Sequence, residues 1–126
     1  MEKIFCDGST RECCVVIDGK PRIITYLEPK TVNESEYIAA ITAVQLARNS
    51  GMTDFAIFTD SKLVVQQTTD KNKCYASNLA PYCTTLRGWL GADHIPYKHL
   101  QIYWIPREEN PAGHELERIA NQRRNQ

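Results

Sequence analysis

Three short apolar runs open the chain, each bounded by residues that favour turns. They cover residues 3–6, 12–17 and 22–27. Asp18 and Gly19 lie between the second and third runs, and an Asp-Gly pair is a strong signal for a tight hairpin. The chain is therefore predicted to begin with an antiparallel meander of three strands.

The spacing of apolar residues then changes to that of a helix. Asn33 is predicted as the N-cap, and Glu36 three residues later completes a capping box. Residues 49–51, Asn-Ser-Gly, mark the end of the helix. The apolar face repeats at i, i+3, i+4 and i+7. Its members are Tyr37, Ala40, Ile41, Val44 and Ala47.

The rest of the chain continues with a strand, two helices, a second strand and a last helix. The polar stretches 70–77, 94–98 and 107–113 are predicted loops. The order βββ-α-β-α-α-β-α predicts an α/β fold with a five-stranded mixed sheet, in which three antiparallel strands precede parallel crossovers and helices flank the sheet. The predicted elements are a strand at 55–59, a helix from Asp60 to about residue 67, a helix at 79–90, a strand at 100–105 and a helix carrying Leu116, Ile119 and Ala120.

The composition fits a single domain over residues 1–126. Of the 126 residues, 42% are hydrophobic and 24% are charged, and both values are ordinary for a globular protein. No apolar run approaches the roughly 20 residues of a membrane-spanning helix, and the N-terminal residues lack the apolar segment of a signal peptide. We therefore expect a cytoplasmic monomer with no membrane partner and no obligate protein partner.

Charge and cysteine content narrow the function further. The 15 basic and 15 acidic residues balance, so net charge alone does not indicate nucleic-acid binding. The five cysteines include the adjacent pair Cys13-Cys14 and show no CxxC spacing, which argues against a secreted disulfide framework and against a zinc site. We predict reduced, mainly packing thiols. From charge alone, the local basic residues are better explained as solvated surface than as a nucleic-acid-binding patch: Lys71, Lys73, Arg87, Lys98, Arg118, Arg123 and Arg124.

Three carboxylates stand at the ends of predicted elements. Asp7 follows the first strand, Glu36 lies in the first turn of the first helix, and Asp60 follows the fourth strand. Ligand sites of α/β sheets gather beyond strand ends, and a group of carboxylates suits a hard cation such as Mg²⁺. Each residue also has a simpler explanation, because Asp7 fits a turn, Glu36 fits a capping box and Asp60 fits a helix N-cap.

Four motifs, in order, resemble those of the ribonuclease H family. Residues 4–10 (IFCDGST) resemble its opening strand, an apolar run that ends in Asp-Gly-Ser. Residues 31–40 (TVNESEYIAA) resemble its TNNxxEYxA helix start, and residues 58–64 (FTDSKLV) resemble its DSxLV strand-to-helix turn. Residues 104–110 (WIPREEN) resemble its VxRxxN segment. Together the four motifs extend over almost the whole chain.

The resemblance implies an endonuclease that hydrolyses the RNA strand of RNA–DNA hybrids with two Mg²⁺ or Mn²⁺ ions. It implies Asp7, Glu36 and Asp60 as catalytic metal ligands. It further implies that residues beside the first aspartate and nearby asparagines contact the substrate, where the 2′-hydroxyl distinguishes RNA from DNA. In this chain those positions are Gly8, Ser9, Asn33 and Asn110.

The chain departs from the family pattern at the start of the last helix. The family's fourth acidic ligand is replaced by His114, when the segment is anchored on Asn110 and Leu116. His114 is predicted as a metal ligand suited to Mn²⁺, as a proton carrier near the leaving group, or as an exposed helix residue. Glu115 is a weaker substitute ligand, because it points about 100° away along the helix.

A second departure concerns the loop before that helix. Residues 107–110 contain no counterpart of the mobile histidine loop found in some family members, which predicts a minimal enzyme with modest substrate affinity. Two other functions remain open. One is a non-catalytic nucleic-acid-binding or partner-binding module on the same fold, and the other is a related nuclease or strand-transfer enzyme that acts on DNA.

Overall fold

A five-stranded mixed sheet forms the centre of the fold. The computed structural model describes residues 1–69, 78–90 and 100–125. The strands are β1 (Glu2–Gly8), β2 (Glu12–Ile17), β3 (Lys20–Thr25), β4 (Phe55–Thr59) and β5 (Gln101–Trp104). Strand order is β3-β2-β1-β4-β5, with antiparallel pairs on the β3 side and parallel pairs on the β5 side. Because β1 and β4 are parallel neighbours, their carboxyl ends lie at the same edge of the sheet.

Within the described residues, four helices flank this sheet in the predicted order, so the predicted fold class is confirmed. Pro81 lies in the first turn of the third helix, where its missing N–H costs nothing. A short 3₁₀ turn at Arg107–Glu109 precedes the last helix. The helices are α1 (Val32–Asn49), α2 (Lys62–Thr69), α3 (Ala80–Trp89) and α4 (Pro111–Arg124).

The two faces of the sheet are covered unequally. One face packs against α1, and α2 and α3 pack alongside α1. Together they enclose a continuous core that includes Ile4, Ile57 and Leu86, all fully buried. On the other face α4 packs on β1 and β2 around a small cluster with Ala112 and Leu116. Because side chains alternate along a strand, each central strand contributes to both faces.

The hairpin prediction at Asp18-Gly19 is confirmed, since φ is 53° at Asp18 and 75° at Gly19. Two positive φ values in succession are the type I′ geometry that matches strand twist. The predicted cap of α1 is wrong. Thr31 is the N-cap, and its capping box is completed by Glu34, so neither Asn33 nor Glu36 has that part.

The last loop is shorter than predicted. Helix α4 begins at Pro111, and Asn110 is its N-cap, with the Asn110 side chain accepting a hydrogen bond from the amide of Ala112. At its other end Arg123 forms a two-pronged ion pair with the buried Glu12 at 2.7 and 2.9 Å. Helix α4 is therefore anchored to the sheet at both ends.

Four cysteines are buried and unpaired, as predicted: Cys6, Cys13, Cys14 and Cys83. The predicted loops at 70–77 and 94–98, with Lys71, Lys73, Cys74 and Lys98, lie outside the described residues. Within the part of the chain that is described, no helix has both the length and the apolar character needed to cross a membrane.

Candidate active site

Asp7, Glu36 and Asp60 converge at the edge where β1 and β4 end. In the parallel pair of β1 and β4, Cys6 lies opposite Thr59, so the next residue of each strand is an aspartate at the same edge. Glu36 reaches them from the first turns of α1. One carboxylate oxygen from each residue lies within 4.8 Å of the others. The sequence prediction that these three residues meet therefore agrees with the geometry.

Gly8 allows α1 to come this close to β1. A Cβ atom at Gly8 would lie 2.4 Å from the hydroxyl oxygen and 2.5 Å from the backbone of Ser35, which is far inside contact distance. The Gly8 amide donates a hydrogen bond of 2.6 Å to Oε1 of Glu36. This residue was predicted to contact substrate, and here its amide holds a site carboxylate in place.

Asn110 orders the Asp60 side of the site. It is fully buried, and its Nδ2 donates to Oδ2 of Asp60 at 3.1 Å and to the carbonyl of Cys6 at 3.0 Å. Its Oδ1 accepts from the amide of Ala112. Because the Asn110 side chain is fully buried and already hydrogen-bonded, it is not accessible for the predicted substrate contact. Asn110 instead connects β1, Asp60 and α4.

Burial makes it unfavourable to ionise all three carboxylates at once. Asp7 is 2% exposed and Glu36 6% exposed. Loss of solvent raises the pKa of Glu36 to about 9, and the neighbouring charge of Asp7 and a hydrogen bond shared with it act in the same direction. Burial also raises the pKa of Asp7, against the lowering effects of that hydrogen bond and of Arg107. Full ionisation of the group therefore needs a compensating positive charge.

A divalent cation fits this arrangement. The donor set consists of carboxylate oxygens alone, which is the chemistry that Mg²⁺ and Mn²⁺ prefer. The oxygens are close enough together to share one ion or a pair of ions, and a bound cation would relieve the repulsion that raises the pKa values of Asp7 and Glu36. The residues present thus match a divalent-metal site.

Ser9 and Asn33 lie beside the carboxylates without joining them. The hydroxyl of Ser9 donates to the carbonyl of Glu12 at 3.1 Å in the turn between β1 and β2. Asn33 is exposed in the first turn of α1. Both positions border the edge where Asp7 and Glu36 meet, and Asn33 is accessible to a ligand.

His114 lies outside the carboxylate group. Its side chain is exposed on α4 and lines an open surface pocket of about 310 Å³ together with Arg107, Glu108 and Glu117. Gly113, the residue before it, lies close to the carboxylates, and a Cβ there would be 3.1 Å from Oδ2 of Asp7. The imidazole of His114 is not among the side chains that converge with Asp7, Glu36 and Asp60.

The substitute ligand Glu115 is also directed elsewhere. Its carboxylate forms an exposed ion pair with Arg118 at i,i+3. Sequence reasoning missed Arg107, whose guanidinium lies 3.9 Å from Oδ2 of Asp7 and remains 58% exposed. The available signal was a basic residue three positions after the end of β5.

Comparison with known proteins identifies the class. The sequence model of the family described as reverse transcriptase-like matches residues 22–119. The chain therefore belongs to this family of ribonuclease H-like proteins. A search of curated proteins found no significant match.

Several solved structures share the fold at low identity. The RNase H1 of Halobacterium salinarum NRC-1 superposes with a TM-score of 0.74 at 22% identity, covering 91% of this chain and 92% of that one. LC11-RNase H1, isolated from compost and solved with an RNA/DNA hybrid, gives 0.73 at 22% identity over 92% and 93%. The N-terminal RNase H domain of a Mycobacterium tuberculosis protein gives 0.69 at 21% identity over 97% and 98%.

Proposed function

We propose that the protein is a ribonuclease H, an endonuclease that hydrolyses the RNA strand of RNA–DNA hybrids. The observation that carries the proposal is the convergence of oxygens from Asp7, Glu36 and Asp60 within 4.8 Å. Family membership and the fold shared with RNase H1 enzymes support it. LC11-RNase H1, a structure of the same fold, was solved with an RNA/DNA hybrid bound.

The three carboxylates would hold Mg²⁺ or Mn²⁺, with two ions present during catalysis. The chemistry supplied by bound metal is activation of a water molecule and stabilisation of the leaving oxygen. The protein contributes the positions of the ligands. The Gly8 amide fixes Glu36 and the Asn110 amide group fixes Asp60, so little rearrangement is needed for all three to face one ligand.

Recognition of the hybrid would use the surface around the carboxylates. The exposed Asn33 and the neighbouring Ser9 are proposed to meet the minor groove, where 2′-hydroxyls mark the RNA strand. Arg107 keeps more than half of its side chain exposed beside Asp7, and its guanidinium can reach a phosphate. We do not propose His114 as a metal ligand, and it stays a candidate proton carrier.

The decisive test is cleavage of a labelled RNA–DNA hybrid with Mg²⁺ and Mn²⁺ supplied separately. Wild-type protein should cut the RNA strand, and Asp7→Asn should abolish cutting while thermal unfolding stays cooperative. Asp54→Asn is the matched control, because Asp54 is exposed at the opposite end of β4. Undiminished cleavage by Asp7→Asn would rule out this site.

A second candidate is a non-catalytic nucleic-acid-binding module. It is favoured by the position of His114, since among the described residues no fourth acidic or histidine ligand joins the three carboxylates. Retained hybrid binding with no cleavage in either metal would select this function. Cleavage of duplex DNA in preference to the hybrid would instead indicate a DNA nuclease.

A further inference from the structure

On the face of the sheet that α4 covers only in part, a row of aromatic rings extends onto the strands that α4 does not reach. Phe58 of β4 lies opposite Tyr103 of β5, and their ring centroids are 5.5 Å apart. Phe5 of β1 stacks on the other side of Phe58 at 5.4 Å. Helix α4 covers the Phe5 end of this row, whereas Tyr103 at the edge strand is 41% exposed.

The next residue of β5 exposes a second ring at the same edge. Trp104 points to the opposite face of the sheet from Tyr103 and is 42% exposed. Its indole Nε1 donates a hydrogen bond of 3.1 Å to the backbone carbonyl of Asp60. This bond fixes the ring directly beside a residue of the candidate active site.

Two of these rings, Phe58 and Trp104, each have a lysine ammonium group over them. The ammonium group of Lys62 lies 4.9 Å from the centre of the Trp104 ring, and that of Lys3 lies 5.9 Å from the centre of the Phe58 ring. Both distances are within cation–π range. We call Phe58, Tyr103 and Trp104, with Lys3 and Lys62, the aromatic rim.

We infer that the aromatic rim binds a single-stranded nucleic-acid segment that leaves the carboxylate site on the Asp60 side. Exposed aromatic rings combined with lysines are the recurring elements of sequence-tolerant single-strand binding, because every unpaired base offers a face for stacking and every phosphate a negative charge. Aromatic side chains on an open sheet face serve the same purpose in RNA-binding domains. The inference rests on the proposed function in taking the same class of ligand.

The position of the rim favours this ligand over a protein partner. Asp60 follows Phe58 by two residues on the same side of β4, and Trp104 is hydrogen-bonded to Asp60 itself. A polynucleotide strand that leaves the carboxylates on the Asp60 side therefore meets the rim. Bases inside a duplex are stacked on one another and cannot stack on an outside ring, whereas the successive bases of an unpaired segment can, so the rim should favour a hybrid with a single-stranded extension over one with flush ends.

The test compares two ligands by fluorescence anisotropy in the presence of a chelator, which keeps the substrate intact. One is a short hybrid with flush ends, and the other is the same hybrid with a single-stranded DNA extension of about six nucleotides, within the usual site size. Wild-type protein should bind the extended hybrid at least about fivefold more tightly, the lower limit for one stacked base. Equal affinity for the two ligands would overturn the inference.

Variants assign that gain to the rim. Tyr103→Ser and Trp104→Ser should remove it and leave the affinity for the flush hybrid unchanged, which also shows that the variants are folded. Trp104→Phe keeps a ring and should retain most of the gain. Leu27→Ser is the matched control, because Leu27 is a fully exposed apolar residue in the loop after β3.

Two further outcomes are decisive. If Tyr103→Ser keeps the full gain but converts a wild-type dimer to a monomer in light scattering, the rim is a protein interface and the inference is overturned. If the protein binds extended hybrid through the rim but cleaves nothing in Mg²⁺ or Mn²⁺, the proposed nuclease function fails and the rim assignment stands.

Discussion

The two faces of the sheet differ in what they contribute. The face covered by α1 holds most of the core, with fully buried residues such as Ile4, Val44 and Ile57. The face covered by α4 has only a small cluster and leaves Tyr103 partly exposed. Asp7 and Asp60 extend the alternation of this second face, after Phe5 and Phe58. Most of the core thus lies on the α1 side of the sheet, which we call the closed face. The candidate active site lies at the end of the α4 side, which we call the open face.

This division follows from the twofold repeat of a strand. Each central strand must present apolar residues to α1, whereas its other face is free wherever α4 does not reach. Asp7 and Glu36 are both buried at the end of the open face, and burial raises the pKa of each carboxyl. Glu36 comes from the helix of the closed face, and its pKa is raised the further, to about 9.

The sharpest test of the comparison uses two neighbouring residues of β4. Ile57→Ala on the closed face should lower the free energy of unfolding by about 2–5 kcal/mol, since it leaves a cavity in a fully buried position. Phe58→Ala on the open face should cost roughly 1–2 kcal/mol, because solvent can fill the space. Urea unfolding of both variants measures the difference. Equal losses would show that the two faces pack alike.

Much of this architecture was predictable from local patterns. The hairpin at Asp18-Gly19 and the strand ahead of Asp60 are specified by turn chemistry and by apolar runs within a few residues. The cap of α1 was not, because Thr31 with Glu34 and Asn33 with Glu36 both fit a capping-box spacing. In the fold the carboxylate of Glu36 accepts a hydrogen bond from the Gly8 amide instead. That contact joins residues far apart along the chain, so the local sequence could not predict it.

The start of α4 was also predicted only in part. The predicted loop ended at residue 113, whereas α4 begins at Pro111, and each position along a helix turns the side chain by about 100°. A Cβ at Gly113 would lie 3.1 Å from Oδ2 of Asp7, so α4 comes close to β1 at this residue. That close approach is a tertiary property, and the local sequence pattern could not predict it.

The second prediction concerns pH and the carboxylates of the open edge. The pKa of Glu36 is raised from 4.5 to about 9 in the folded protein, so the folded state keeps a proton that the unfolded chain releases. Proton binding is then greater in the folded state, and the free energy of unfolding should fall as pH rises from about 4.5 towards 9. Asp7, whose pKa is also raised by burial, acts in the same direction.

Thermal melts across this range in a chelator measure the fall, and excess Mg²⁺ or Mn²⁺ should reverse it. A ligand at about 100 times its Kd adds roughly 2.7 kcal/mol of stability. Glu36→Gln should flatten the pH dependence, whereas Glu28→Gln, at an exposed position, should leave it unchanged. A metal-free protein that becomes more stable towards pH 9 would contradict the electrostatic account of this edge.

The smallest expected effect separates residues that face the carboxylates from those on the outer surface of α4. His114→Ala should reduce the rate of hybrid cleavage by less than about tenfold, because the side chain is exposed and outside the group formed by Asp7, Glu36 and Asp60. A proton carrier typically contributes about 10²–10⁴-fold, so a loss of that size would restore His114 to the chemistry. Cleavage rates with Mg²⁺ and with Mn²⁺ should be measured for His114→Ala and for His114→Asp. If His114→Asp improves the use of Mg²⁺ while His114→Ala is nearly silent, the position can reach the metal only when it carries a carboxylate.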